Sequence, residues 1–385
     1  GPLLPEIGIL FVILFFFLIK KKIVFSSDLK KIIFLFLIFY FLINISNLSI
    51  DKNILQSFKV SVFYLRFLIY IIVLRELILL DHFKTNKTLF FVFFYIFIIL
   101  DGATQFYTGS NFFGQEKEGF KISGIFGDEQ IMGSFLVKLL PLTLFLIFNS
   151  NIDDIKKKII IMSIILLSLF GIVISNEFNS IILLGVFLFF VFVLLVKFKI
   201  KYFLIICSIF LIFSQISDLS SQTNRLKSVY SNISSPDGTI INSYSSMIKT
   251  SILIWKQNKV IGSGIKSYEN LSKKKEFQVS IYSEQNHPHN YYFQLLCETG
   301  LIGLSFLIYI VFISLKNFAI SYRSLLKKFS FHDRANISKS LLSIGLLINI
   351  FPFVPSGNFF NNWLSIIIFT YIGLLLGCVK NKLKT

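Results

Sequence analysis

The stretch IYSEQNHPHNYYFQLLCETG, residues 281–300, holds the side chains best suited to acid–base chemistry. It places His287 and His289, two of the chain's four histidines, on either side of Pro288 and directly before Asn290. A neutral imidazole is the usual general base near neutral pH, a proline restricts the backbone, and an asparagine amide can hold a loop carbonyl or a sugar hydroxyl. The pattern predicts one base, His289, at the mouth of a helix that His289 or Asn290 begins.

A metal site is the other chemistry that two neighbouring histidines can support. Glu284 and Glu298 lie nearby in the sequence, but no third ligand stands at a metal-binding spacing. The three cysteines are far apart and form no CxxC motif. We therefore expect no metal, no cofactor and no disulfide framework, and we assign His287 and Asn290 to substrate binding.

Two cations interrupt apolar runs, Arg66 in VFYLRFLIY and Lys138 in FLVKLLP. A charge near the middle of a bilayer costs roughly 2.5–3.5 kcal/mol, so each cation should face protein or a wet cavity and have a partner. In the predicted topology both cations are accessible from the outer face of the membrane. We therefore favour a buried anion, such as a lipid-linked phosphate, as that partner. The alternative is a structural ion pair, for example with Glu76 or Asp101.

Acidic and amide-rich segments interrupt the apolar pattern at three further places. Asp128 and Glu129 stand at a loop-to-helix junction in SGIFGDEQIMGSFLVKLLP, residues 123–141, where they can bind substrate or only cap the helix. Glu177 lies in ISNEFNS, a tight polar break between two predicted helices, and is the second candidate catalytic residue. FPFVPSGNFFNNW, residues 351–363, is typical of a turn whose aromatic rings lie at a membrane interface or stack on sugars.

The composition indicates that these residues belong to a membrane protein. The 385-residue chain is 55% hydrophobic, with a mean hydropathy of +0.75, which is more apolar surface than a soluble domain tolerates. Continuous apolar runs of about 17–25 residues recur, the length that a helix needs to cross a bilayer. The net charge of +18 lies mostly in Lys-rich short loops, which favours a positive-inside bias over nucleic-acid binding.

We predict an all-α polytopic fold with about eleven transmembrane helices, or about twelve if another helix precedes Gly1. The predicted spans are 4–19, 32–48, 55–79, 88–101, 129–148, 158–175, 180–196, 200–217, 300–315, 338–354 and 361–379. With these spans, every Lys-rich short loop and the C-terminal tail fall on one side of the membrane. The positive-inside rule makes this side the cytoplasm.

Three regions follow from this topology. Residues 1–217 hold the first eight helices and the outer loop 102–128, and residues 300–385 hold the last three helices and the cytoplasmic tail. Between them, residues 218–299 form a long outer loop that carries the His-Asn motif. A helical pattern around 244–258 predicts that this loop folds as a small helical cap.

Four blocks of the chain together resemble the bacterial O-antigen ligase and O-antigen polymerase superfamily. HPHNYYFQLLCETGLIGL is similar to its His-x-His-Asn block followed by Gln, Glu and Gly, and KVIGSGIKSYEN, residues 259–270, is similar to the Gly-x-Gly segment before it. The segments 123–141 and 351–363 resemble further blocks of the group in the same order. The histidine directly before Asn is the family's proposed base, and it corresponds to His289.

This resemblance implies a GT-C-like helical fold in the bacterial inner membrane. It also implies metal-independent, inverting glycosyl transfer at the periplasmic face from an undecaprenyl-pyrophosphate-linked oligosaccharide donor. The chain departs from the family at the tight outer turn, where many relatives carry an arginine near the donor pyrophosphate and this chain has Phe178. Arg66, Lys138 or Arg225, the only arginine of the long loop, is expected to supply that charge instead.

Three functions stay open at this point. A polymerase joins the glycan to another lipid-linked repeat, whereas a ligase moves it to lipid A-core, and both use the same site. We favour the polymerase because the segments 123–141 and 351–363 resemble that branch more closely. A transporter or flippase of lipid-linked sugars would also place cations in the membrane, but it would not need a long outer loop with a His-Asn cluster.

Overall fold

The computed structural model describes residues 3–18, 23, 27–46, 54–79, 86–195, 239–327 and 333–380. All regular secondary structure in these ranges is helical, with no strand among them, and the predicted all-α class is confirmed. The α-helices are α1 (Leu3–Leu18), α2 (Ser27–Ser46), α3 (Ile54–Tyr64), α4 (Arg66–Leu79), α5 (Asn86–Thr108), α6 (Met132–Asn149), α7 (Asp154–Ile174), α8 (Phe178–Leu195), α9 (Thr239–Gln257), α10 (Ser267–Leu271), α11 (Tyr291–Lys327), α12 (Arg334–Asn349) and α13 (Asn362–Lys380).

Four of the described helices are long and apolar enough to cross a membrane. They are Thr88–Thr108, Met132–Asn149, Asp154–Ile174 and Tyr291–Leu326. Shorter apolar helices accompany them, and the protein is therefore an all-α polytopic membrane protein. The count of about eleven spans stays a prediction. The predicted span 200–217 lies outside the described residues.

Several helix boundaries differ from the predicted spans because hydrogen bonding, and not hydropathy, ends a helix. The predicted helix 55–79 is broken at Leu65, whose N–H donates to the carbonyl of Val62 at 3.2 Å in a tighter turn. Helix α5 continues past the predicted end at residue 101 to Thr108. The predicted span 300–315 is the middle of α11, which is kinked at Gly300, where φ is 67°.

The chain divides into two compact units. The first unit comprises Gly1–Leu77, Ser228–Ile313 and Pro352–Gly377, and the second comprises Ile78–Lys227, Ser314–Phe351 and Cys378–Thr385. The histidine motif belongs to the first unit.

The first unit contains a small helical core built from the long predicted outer loop. Helix α9 confirms the helical pattern expected around 244–258. Its buried face packs with α10 and the start of α11. The core residues are Ile254, Tyr268, Leu271, Phe277 and Cys297.

The second unit is organised around α6, which contacts α5, α7, α8 and α12. Nearly every side chain of α6 is buried, including Lys138 and the helix-interior Pro141. Close approach is possible because small residues face it. The Cα of Gly133 lies against Ser175 and Ser180, where a Cβ would come within 2.2 Å of the Ser175 hydroxyl oxygen.

Candidate active site

The turn that precedes α11 is fixed by Asn290 and Ser356. The Asn290 side-chain oxygen accepts hydrogen bonds from the N–H groups of Tyr292 and Phe293 at 3.0 and 3.4 Å, so Asn290 caps α11. This confirms the predicted helix start. The Asn290 amide also donates to the carbonyl of Pro352 at 2.9 Å. With both ends engaged, Asn290 positions the turn, whereas its predicted contact with substrate stays a prediction.

His289 has a strained backbone in this turn. Its φ is 51°, in the left-handed region that residues with a Cβ adopt at a cost. The conformation is held because the His289 carbonyl accepts the N–H of Ser356 at 2.8 Å, next to the Asn290 cap. Backbone strain of this kind is concentrated at functional sites, and here it sets the orientation of His289, the predicted base.

The connection before α13, residues 352–361, braces the turn from the side. Gln294 accepts the N–H of Phe359 at 2.8 Å and donates to the Asn358 side chain at 2.8 Å. The hydroxyl of Tyr64, at the end of α3, bonds to Ser365 and to the carbonyl of Phe359. The predicted turn at 351–363 therefore serves as a scaffold for the histidine motif.

The two imidazoles of the motif lie against each other. Their ring centroids are 4.2 Å apart with planes tilted by 47°, and the Tyr244 ring of α9 stands perpendicular to His289 at 6.3 Å. Nε2 of His287 is buried and makes no hydrogen bond to any described residue.

Burial keeps both rings neutral. It lowers the pKa of His289, and together with the nearby His289 charge it lowers the pKa of His287 to about 4, while a backbone hydrogen bond with Ser356 offsets part of each shift. Near pH 7 the pair therefore holds unprotonated nitrogens, which suits a proton acceptor.

The Gly-x-Gly segment packs onto the kink of α11. The N–H groups of Ser263 and Gly264 donate to the carbonyls of Cys297 and Glu298 at 3.0 and 2.8 Å. Gly262 and Gly300 both have positive φ, and a Cβ on either would come within 2.5 Å of the other segment's backbone. The glycines that suggested the family resemblance thus allow two backbones to meet at the kink of α11, the helix that begins at the histidine motif.

Arg66 is a predicted phosphate-binding cation that lies in the first unit. It begins α4 directly after the break at Leu65, is half-buried, and has its guanidinium 4.6 Å from the ring centroid of Phe67. It also donates to the carbonyl of Phe63. Glu76, which we considered as its partner, forms an ion pair with its own neighbour Arg75.

Glu177 belongs to the second unit and caps α6. Its carboxylate accepts the N–H of Gly133 at 2.7 Å, the N–H of Ser134 at 3.1 Å and the hydroxyl of Ser134 at 2.6 Å. Burial raises the pKa of Glu177, and these hydrogen bonds oppose that shift. A catalytic role for Glu177 stays a prediction, because the geometry gives it a structural task.

Asp128 does not cap α6, so the capping alternative is wrong, whereas the binding of substrate by Asp128 and Glu129 stays a prediction. Helix α6 begins at Met132, and Asp128 and Glu129 are exposed in the preceding loop. Lys138 is buried almost two turns after the start of α6, where the negative charge of Glu177 acts on it. The binding of a phosphate by Lys138 stays a prediction.

Asp101 instead anchors the loop that follows α5 in the second unit. It is fully buried and accepts the N–H of Phe112 at 2.9 Å. One helical turn later, the Gln105 side-chain oxygen accepts the N–H groups of Ser123 and Gly124 at 3.0 and 2.8 Å. Arg225, the remaining predicted cation, lies outside the described residues.

Sequence reasoning gave no structural role to Gln294, Glu298 and Ser356 near the histidine motif, or to Gln105 in the second unit. Gln294 and Glu298 follow Asn290 at intervals of four, and Gln105 follows Asp101 at the same interval. Polar residues at this spacing share one face of a helix, and this was the available signal. Ser356 gave no such signal, since its role depends on a loop more than sixty residues away from the motif. Among the described residues, no group of three His, Cys, Asp or Glu side chains is placed to hold a metal ion.

The family model described as O-antigen ligase matches residues 163–308. These residues are similar to an O-antigen ligase domain. The match includes Glu177 and the whole histidine motif, and it confirms the resemblance to the O-antigen polymerase and ligase superfamily, although it covers less than half of the chain. A search among curated proteins gives no match.

The O-antigen ligase family consists of glycosyltransferase-like enzymes that act on O-antigen. The chain is therefore a polytopic membrane protein in which residues 163–308 are similar to this enzyme family, whose substrates are lipid-linked glycans in general.

Proposed function

We propose that the protein transfers an O-antigen glycan from an undecaprenyl-pyrophosphate carrier to a sugar hydroxyl, with His289 as the general base. The observation that carries this proposal is the neutral imidazole pair in a strained, braced turn at the start of α11, inside the range that matches the O-antigen ligase family. A nitrogen held neutral at working pH can accept a proton, which glycosyl transfer to a hydroxyl requires.

The reaction is a single displacement in this proposal. The acceptor oxygen forms a bond to the anomeric carbon while the bond from that carbon to the pyrophosphate oxygen breaks, and the bonding electron pair leaves with the pyrophosphate. The hydroxyl proton passes to His289. Attack from the opposite side of the carbon inverts its configuration.

In this proposal, cationic side chains stabilise the negative charge that develops on the leaving pyrophosphate. Arg66 is the candidate in the first unit, and its planar guanidinium suits two phosphate oxygens at once. Lys138 and Arg225 are retained from the sequence as further candidates. Side-chain charge of this kind stabilises the transition state without a bound metal ion.

The site faces the periplasm in this proposal, and the C-terminus is cytoplasmic. The support is the charge pattern, because the Lys-rich short loops fall together on the opposite side of the predicted membrane spans. The chain would then lie in the bacterial inner membrane, where an undecaprenyl-linked donor is embedded.

Between the two acceptors we propose the polymerase, which elongates a lipid-linked repeat. The support is the closer resemblance of the segments 123–141 and 351–363 to that branch. The second candidate is the ligase, which is favoured by the description of the matched family model.

Purified protein in detergent or liposomes, given lipid-linked donor and an acceptor, tests the proposal. We expect product without any membrane potential, which excludes a protein that only transports, and we expect none from His289→Ala. In cells, loss of long chains with single repeats kept on the core indicates a polymerase. Loss of all glycan from the core indicates a ligase. Near-normal glycan in correctly inserted His289→Ala would contradict the assignment of the base.

A further inference from the structure

The unused nitrogen of His287 gives this residue a role in the chemistry. We propose that His287 is a positioning residue whose Nε2 accepts a hydrogen bond from the ring N–H of His289 while His289 takes the acceptor proton. The inference rests on the proposed function, in which His289 is the base. It assigns the second histidine of the motif to orienting the first, in place of our sequence-based assignment to substrate binding.

The first support is the state of Nε2. Buried side-chain nitrogens are nearly always hydrogen-bonded, yet Nε2 of His287 is buried without a bond to any described residue. A neutral imidazole has one acceptor nitrogen, and leaving it buried and unused costs free energy. The His289 ring is in contact at a centroid distance of 4.2 Å, and the torsion that sets ring tilt is soft in histidine.

The second support is chemical need. A histidine base becomes an imidazolium, and its second N–H then requires an acceptor that fixes the ring and stabilises the charge. In many enzymes a carboxylate does this. Here the nearby carboxylates are engaged elsewhere: Glu284 is exposed and accepts from Gln278 at 2.9 Å, and Glu298 is fully buried and accepts from Gln294 at 3.2 Å. The backbone of Ser356 forms a hydrogen bond with each imidazole, so in this proposal His287 shares the task of holding the His289 ring with that backbone group.

Among the residues that the structure describes, Tyr244 also faces the pair. It comes from α9, its ring stands perpendicular to His289, and burial raises the pKa of its hydroxyl, so it is neutral. Two imidazoles in contact cannot both carry charge cheaply, so the pair takes up one proton before the other. Burial and the His289 charge both hold His287 neutral, which leaves it as the acceptor of the pair.

Nitrogen-15 NMR of histidine-labelled protein tests the proposal without using activity. The chain has four histidines, and replacing His82 and His332 with glutamine leaves only the pair visible. We expect the first proton to enter on His289 and to shift the Nε2 resonance of neutral His287 at the same pH. In His287→Leu the pKa of His289 should fall by about one unit, a tenfold change in its proton affinity. In His287→Gln, which keeps a neutral acceptor, it should stay near the wild-type value.

Activity supplies the second readout. His287→Leu should lower kcat/KM about tenfold to a hundredfold, which is part of the ~10²–10⁴ that a positioned base contributes. The acidic limb of the plot of kcat/KM against pH should also move to lower pH. His287→Gln should restore most of the rate and the limb. An unchanged or raised His289 pKa in His287→Leu overturns the proposal, as does first protonation on His287. If His289→Ala retains transfer while the NMR coupling is present, the proposed base fails but the pairing of the rings does not.

Discussion

Replacing Gly262 with alanine is expected to destabilise the first unit and to disable the proposed base from a distance. The added Cβ would lie 2.5 Å from the carbonyl carbon of Glu298 and from the backbone nitrogens of Thr299 and Gly300. These are backbone atoms of α11, so no side chain can rotate to make room. The two segments must separate instead, and the turn that carries His289 is at the start of the same helix.

Two contributions set the size of the effect. Gly262 has a φ of 72°, and a residue with a Cβ pays about 1–2 kcal/mol in the left-handed region. Separation also weakens the hydrogen bonds that Ser263 and Gly264 donate to α11, at roughly 0.5–1.5 kcal/mol each. The expected loss is therefore about 2–5 kcal/mol, a large share of the ~5–15 kcal/mol that typically stabilises a folded protein.

Two alanine variants separate these contributions. Gly114 has a φ of 77° and open space around its Cα, so Gly114→Ala measures the backbone cost alone. Gly185→Ala adds a Cβ in open space inside α8 and should be neutral or stabilising. Unfolding by sodium dodecyl sulfate in mixed micelles, followed by circular dichroism, gives the free energy of unfolding for all three variants.

Tryptophan fluorescence locates the damage. The chain has two tryptophans, and both Trp255 and Trp363 lie in the first unit. We expect the unfolding transition followed by tryptophan fluorescence to move to a lower sodium dodecyl sulfate fraction in Gly262→Ala. In the two control variants it should stay in place. If Gly262→Ala costs no more than Gly114→Ala, close packing against α11 is not the reason for this glycine, and our account of the Gly-x-Gly motif is refuted.

Three further outcomes are expected. Asn290→Ala should cost about 1–2 kcal/mol through loss of the α11 cap and should lower transfer by releasing the turn, whereas Asn290→Asp should retain the cap in a stability assay. Glu177→Gln should lower stability by about 0.5–2 kcal/mol with transfer retained, while lost transfer at unchanged stability would instead establish a catalytic carboxylate. The pKa of His287 is lowered from 6.5 to about 4, so the unfolded chain binds the extra proton first and stability should fall as pH drops from about 6.5 to about 4. An acid titration of wild-type protein should show this slope, and His287→Leu should reduce it.

Local chemistry explains what could be predicted from the sequence. Long apolar runs can satisfy their backbone groups only as helices in a membrane, so composition alone indicates the all-α polytopic class. Asn290 was predicted to begin a helix because a side-chain oxygen beside free N–H groups caps them wherever it occurs. The order of the four motif blocks was enough to suggest the family that residues 163–308 match.

Hydrogen bonds between segments that lie far apart in the chain could not be predicted from the sequence. The first turn of α6 is capped by Glu177, more than forty residues further along the chain, although Asp128 stands at the local capping position. Capping depends on which oxygen lies within hydrogen-bond distance of the free N–H groups, and the fold brings Glu177 there while Asp128 remains exposed.

The same reason separates what the sequence by itself determined from what the tertiary structure decided. The sequence determined the residue types of the histidine motif, their spacing and the helix that follows, because these are local properties. Only the tertiary structure decided that Ser356 holds the strained turn and that the two imidazoles touch with one nitrogen left unused. Hydrogen bonds and burial between segments far apart in the chain depend on packing, and no local pattern encodes them.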